Sequence, residues 1–133
     1  MLINPLFVAG LILYWGEGDS KLVNGMVRLS NTDTRMIEIF VKFLKIICNV
    51  PKEKIKAYII LYPDLSESYC KKYWCYVTGI FQSNFYKTQF IKGRHPTNRL
   101  RYGICEIHVS SRGLKEKIMV WTDLFYNKCK NDL

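Results

Sequence analysis

Acidic side chains are scarce in this chain: eleven Asp and Glu stand against twenty Lys and Arg, a formal net charge of +9 over 133 residues. That imbalance argues against acidic-surface functions and favours a polyanionic partner. No acid occurs between Ser68 and Cys105, a stretch that carries Lys71, Lys72, Lys87, Lys92, Arg94, Arg99 and Arg101. On its own, such a run reads equally well as a solvated surface that keeps the protein soluble. Long hydrophobic runs are missing too. The apolar stretch from Leu6 to Trp15 falls short of the about 20 residues that cross a bilayer. It has neither a basic segment before it nor a small-residue cleavage site after it, so no membrane partner and no signal peptide are expected. The expected location is cytoplasmic, inside the cell and associated with the nucleoid.

Metal-ligand patterns are equally thin. Histidine is limited to His95 and His108, and Cys48, Cys70, Cys75, Cys105 and Cys129 form an odd set without a repeated close pair. Cys70 and Cys75 stand alone, so buried core thiols are a better reading than zinc, and reduced thiols fit a reducing compartment. A hydrolase built on Cys75 or Cys105 with either histidine rests on inventory alone. Internal repeats and low-complexity segments are absent, and residues 1–133 read as a single domain with enough apolar content for a core.

The periodicities predict helices and strands without regular βαβ alternation, hence an α+β fold. Asn4 to Gly16 reads as a helix with Pro5 in its first turn and Gly16 and Gly18 ending it. It is apolar nearly all round, so the core, a partner or both must bury it. Lys21 to Ser30 holds a period-2 strand, with Val27 and Leu29 opposed to Met26, Arg28 and Ser30, after a turn at Asn24 and Gly25. Asn31, Thr32 and Asp33 supply cap residues for an amphipathic helix carrying Ile37, Phe40, Val41, Leu44 and Ile47. Ile55 to Tyr62 is β-rich. Pro63 stops it, and Asp64 with Glu67 predicts a capping box for a helix through Tyr69, Tyr73, Trp74 and Val77 to Gly79. Phe85 to Lys92 and Tyr102 to Ser110 predict two further strands joined by a basic loop, Gly93 to Arg101. A last helix begins near Ser111, with Leu114, Ile118, Trp121 and Phe125 on one stripe. Tyr69, Tyr73, Trp74 and Tyr76 lie beside Lys71 and Lys72, where they would stack on unpaired bases or, as is commoner at helical spacing, fill the core.

The stretch Val8-Ala9-Gly10-Leu11-Ile12-Leu13-Tyr14-Trp15-Gly16-Glu17-Gly18 resembles the LAGLIDADG signature of homing endonucleases, a helix ending in an acid followed by glycine. Setting Glu17 at the acid position puts Ile12 where a glycine is usual. The likeness continues in order through Asn31-Thr32-Asp33, Trp74 with Thr78-Gly79-Ile80, Phe85-Tyr86-Lys87 and Tyr102-Gly103. It covers nearly the whole chain and is similar to a divergent, single-motif, prokaryotic branch of that superfamily. Some members of this branch look like binding or regulatory proteins.

The resemblance implies a saddle-shaped antiparallel sheet packed by helices, and a homodimer whose motif helices meet at its centre. Glu17 from each chain would then hold Mg²⁺ or another divalent cation, with Gly18 as a close backbone neighbour. Hard cations prefer oxygen ligands, and phosphodiester hydrolysis needs a metal to activate water. Gly18 would let the chain leave the helix sharply and approach phosphate. Without a metal, Glu17 is a surface carboxylate set against the helix dipole. Asp19 is either a second oxygen ligand or a turn residue. Lys21 and Lys87 are both candidates for the basic group beside the scissile phosphate. The sheet face turned from the core would contact double-stranded DNA through Arg28, Ser30, Lys56, Tyr58, Lys87, Gln89, Glu106 and His108. Lys21, Lys92, Arg94, Arg99 and Arg101 would add phosphate contacts. Arg28 and Gln89 suit guanine and adenine edges, whereas lysines position backbone. Each of these residues taken singly also reads as an ordinary solvent-facing position. The implied activity is site-specific, metal-dependent DNA cleavage by an intron-type homing endonuclease. The alternative is a DNA-binding regulatory or accessory protein of the same fold that does not cleave.

Overall fold

Asn4 opens the first helix: its side-chain Oδ1 accepts the backbone N–H groups of Leu6 at 2.9 Å and Phe7 at 3.3 Å, satisfying donors that the helix itself leaves unpaired. The computed structural model of the chain describes residues 4–21, 24–92 and 101–131. Helix α1 spans Pro5–Glu17. After it come strand β1 (Met26–Asn31), helix α2 (Thr34–Lys42) and strand β2 (Lys56–Leu61). Helix α3 (Glu67–Thr78), strands β3 (Gln89–Phe90) and β4 (Ile104–Ser110), and helix α4 (Arg112–Asn131) complete the chain. Helix α2 continues as a π-helical turn over Phe43–Ile47. The expected α+β class is observed.

The four strands form one sheet in the order β1-β4-β2-β3. β4 pairs antiparallel with both β1 and β2, but β3 runs parallel to β2 through Ile60↔Gln89 and Leu61↔Phe90. The sheet is therefore mixed, which corrects the expectation of an antiparallel one. The third strand is also shorter than Phe85 to Lys92. Phe85 bridges Ala57, Tyr86 donates to the Ala57 carbonyl and Ile91 to that of Leu61, with no strand pairing at residues 86–88. The other edge is occupied as well. Gly18 bridges Leu29 antiparallel, and the Asp19 amide donates to the Arg28 carbonyl at 3.0 Å, so the chain leaving α1 lies along β1.

One sheet face is packed. Val27 and Leu29, Ala57, Ile59 and Leu61, and Cys105, Ile107 and Val109 join Leu11, Tyr14, Ile37, Phe40, Phe43, Leu44, Trp74 and Ile118 in a single buried cluster. Each large side chain removed from water there contributes roughly 1.5–3 kcal/mol. Gly10 is needed for this packing, because a Cβ on it would overlap the Phe43 ring. Gly10 thus brings α1 close to the π-helical turn of its own chain. The opposite side of α1 is left uncovered, with Ile12 46% and Trp15 52% exposed.

Asp33 caps α2 as expected, accepting the Arg35 amide at 2.9 Å. The cap of α3 is Ser66 rather than Asp64: Ser66 Oγ accepts the Tyr69 amide at 3.3 Å. Residues 62–65 instead close a turn through Leu65 N–H to the Tyr62 carbonyl at 3.0 Å, which keeps Asp64 inside the turn, two residues before the cap.

Candidate nucleic-acid interface

Because side chains alternate across a strand, the registers bring the predicted outer-face residues into rows. Arg28, His108 and Lys56 form one row across β1, β4 and β2, and Ser30, Glu106 and Tyr58 the next. Gln89 follows beside Ile60 and is exposed.

The middle of this face is already internally bonded. Ser30 Oγ donates to Glu106 Oε1 at 3.0 Å, and the Tyr58 hydroxyl bonds the same carboxylate. Burial, reinforced by that bond, pushes the Tyr58 pKa up. His108, proposed from sequence as a DNA contact, is covered: it is 7% exposed, with the Tyr86 ring stacked on it at 5.1 Å and 8°. Tyr86 holds it away from solvent, so His108 does not offer a hydrogen bond to a groove. Its Nδ1 has no hydrogen-bond partner among the described residues and lies 4.0 Å from Glu106 Oε2. Burial lowers its pKa, against a raising influence from Glu106, while Arg28 and Lys56 add to the lowering. Lys56 Nζ reaches Asn84 Oδ1 at 3.4 Å.

Asp19 organises the end of α1. Its carboxylate accepts the Lys21 amide and Asn24 Nδ2, each at 2.9 Å, and Arg28 Nε and Nη2 at 3.2 and 2.8 Å. Lys115 Nζ, from the first turn of α4, lies 3.7 Å away and donates to Asn24 Oδ1 at 2.9 Å. Lys115 is wholly buried. Burial lowers its pKa and Asp19 opposes that shift. The Lys21 amide first, then the Arg28 and Asn24 side chains, hold the Asp19 carboxyl well below the usual carboxylate range. Tyr14 Oη also donates to the Asp19 carbonyl, and burial pushes this phenol up to about 12. Asp19 is thus a fixed turn residue rather than an available metal ligand. Arg28, proposed to read guanine, has two nitrogens engaged by Asp19 and keeps 39% of its side chain exposed.

Glu17 ends α1 exposed, and the Gly18↔Leu29 bridge sets its backbone alongside Ser30. Gly18 is extended, at φ −85° and ψ 165°, so its conformation is open to other residues. Space is what requires a glycine here, since a Cβ would run into the Tyr14 ring. Among the described residues no three His, Cys, Asp or Glu side chains come together to hold a metal. With Asp19 committed, Glu17 is the one predicted carboxylate left available near the helix end. Among the described residues of one chain, Glu17 thus has no second carboxylate grouped with it.

The remaining predicted residues sit at the rim. Lys21, Lys87 and Lys92 are exposed. Arg101 is exposed but lines a depression with Arg35 and Tyr73, where β1 runs into α2. Arg94 and Arg99 fall outside the described residues. Lys115 and Tyr86 were missed by the sequence reading. The available signal for Lys115 was its position three residues before Ile118, on the stripe that faces inward. No helix among the described residues is long and apolar enough to cross a membrane. No protein family, curated protein or solved structure matches this chain.

Proposed function

We propose that this chain is a LAGLIDADG-like, site-specific DNA endonuclease that acts as a homodimer and depends on a divalent metal. The observation that carries the reading is the asymmetry of α1. Gly10, Leu11 and Tyr14 lock one side into the core, while Ile12 and Trp15 stay about half exposed, Trp15 with the Tyr126 ring of α4 edge-on against it, and the exposed Glu17 ends the same helix beside β1. A groove of about 470 Å³ lined by Ala9, Ile12, Leu13, Met36 and Ile39, and by the charged Asp33 and Arg35, continues that partly exposed surface onto α2. Exposed apolar area on a helix of this kind favours burial against another surface. A second copy meeting it there would supply Glu17 of the partner subunit and with it a second oxygen ligand. Double-stranded DNA would lie over the outer sheet face, with Lys21, Lys87 and Lys92 neutralising phosphates and Gln89 and the free part of Arg28 reaching bases.

A second reading, a DNA-binding regulator without turnover, is favoured by the engagement of Asp19 beside Glu17 and by the internally bonded centre of the face. One experiment separates the two. The protein and Glu17→Gln are incubated with Mg²⁺ and DNA that includes the flanking genomic sequence. Cleavage by the parent alone supports the nuclease. Binding without cleavage by either supports the regulator, and cleavage by both removes Glu17 from the chemistry. Light scattering with and without DNA tests the assembly: a monomer in both conditions, or a dimer indifferent to Ile12→Asp, contradicts the α1 interface.

A further inference from the structure

We infer that the depression at the β1–α2 junction is a second nucleic-acid subsite, one that takes an unpaired nucleotide. It has a volume of about 400 Å³ and is lined by Thr32, Asp33, Thr34, Arg35, Tyr73, Arg101, Tyr102 and Gly103, within the size range of small-ligand sites. It begins two residues beyond Ser30, at the end of the sheet where Asn31 pairs with Cys105. The inference rests on nucleic acid being the partner and is independent of cleavage.

Three side chains from two distant segments build an aromatic stack. The Tyr73 and Tyr102 rings lie face to face, with centroids 3.5 Å apart and planes 3° from parallel, and Tyr69 adds a ring 5.9 Å from Tyr102 at 27°. The stack is held from beneath. Trp74 Nε1 donates to the Tyr102 carbonyl at 2.8 Å. Gly103, at φ +77°, lets the backbone press on Leu61 and Ile60 where a Cβ would not fit. Trp74 is fully buried, as a ring that serves only the core would be, whereas Tyr69 is 62% exposed and Tyr102 is half-buried. The stack is therefore pre-positioned: Tyr73 and Tyr102 pack partly against the core and line the depression, and Tyr69, next to Tyr102, is open to the outside.

Charge and hydroxyl groups surround them in the arrangement a nucleotide needs. Arg101 is exposed and has no ion pair among the described residues. Arg35 meets Asp33 at 3.2 Å but keeps 87% of its side chain exposed, so its guanidinium remains available to a phosphate. Asp33 is occupied by the α2 amides and Arg35. The Thr32 and Thr34 hydroxyls can donate to or accept from a sugar or a base edge. A base within a duplex has both faces covered by its neighbours, so a tyrosine platform selects a base that is unpaired.

The test is fluorescence anisotropy with a short fluorescein-labelled oligothymidine, run in parallel with a labelled duplex. Arg101→Glu and Tyr69→Ala change exposed side chains, and circular dichroism checks the fold of Tyr102→Leu. Each is expected to weaken single-strand binding by about tenfold, the scale of one lost stacking or phosphate contact, while changing duplex affinity much less. Irradiation with an iodouracil-substituted strand should cross-link Tyr69, Tyr73 or Tyr102. The inference is overturned if the oligothymidine does not bind, if it binds all variants equally, or if cross-links map to the outer sheet face. Single-strand binding that persists where duplex binding is absent would remove the proposed function and leave this site standing. The reverse result would remove this site alone.

Discussion

Asp19→Ala, taken together with Lys115→Met, tests the cost of stranding a buried cation. In the parent the carboxylate lies 3.7 Å from the ammonium of Lys115, a side chain with no exposure, while Asp19 itself keeps 19%. Removing one member of a buried pair costs about 3–5 kcal/mol, because the remaining charge stays desolvated. Asn24 Oδ1 still accepts from Lys115 at 2.9 Å, which places the expected loss at the low end, about 3 kcal/mol. Lys115→Met behaves differently. Asp19 keeps Arg28, Asn24 and the Lys21 amide, and a flexible apolar chain of similar length fills the space, so the change should stay within about 1 kcal/mol. The double variant should then be more stable than the sum of the two, by a coupling of about 2 kcal/mol. Urea unfolding at neutral pH, followed by circular dichroism, measures all four proteins. A second signature comes from the depressed Asp19 pKa. Its stabilisation is complete above the ordinary value of 3.8 and is lost as the pH falls below that value toward the lower folded one. The parent should therefore lose stability in this acid range more steeply than Asp19→Ala. An Asp19→Ala loss below about 1 kcal/mol, or a Lys115→Met loss as large as that of Asp19→Ala, would refute the reasoning.

Three further outcomes are expected. His108 is buried with a lowered pKa, so the unfolded chain binds the extra proton first; stability should fall as the pH drops below the ordinary 6.5, and His108→Gln should abolish that step in a urea-midpoint series. Gly103→Ala forces a side chain into a left-handed backbone position against Ile60 and Leu61 and should cost about 2 kcal/mol or more, read as a lower thermal midpoint. Native alkylation followed by mass spectrometry should modify exposed Cys129 first and buried Cys105 last, since burial pushes the Cys105 thiol up; equal rates would contradict that packing.

Elements whose pattern is local were legible in the sequence. The spacing of Ile37, Phe40, Val41 and Leu44 located α2, and the alternation about Val27 and Leu29 and about Cys105, Ile107 and Val109 located β1 and β4. The outer-face rows came from the same alternation. What failed depended on partners remote in sequence. β3 is short because only Gln89 and Phe90 match β2, and its parallel direction is set by where the chain returns. Asp64 and Ser66 both suit a cap, and the turn after Tyr62 decides between them. Within the candidate site, the position of Glu17 at the end of α1 was readable. The pairing of Arg28 with Asp19 and the covering of His108 by Tyr86 arise from contacts across the fold. Lysine at Lys115 looks like a surface residue until Asp19, 96 positions earlier, is placed beside it.

The two margins of the sheet bear on how copies of this protein can associate. Residues 18–19 line the outer rim of β1, and β3 offers just two paired residues at the opposite rim. Among the described residues a neighbouring molecule thus finds no long row of open amides and carbonyls at these two margins on which to extend the sheet. Growth into a continuous ribbon is disfavoured at both ends. A second copy, if it docks as proposed on α1, would then meet side chains and not strand backbone, and could leave again without either chain having to unravel.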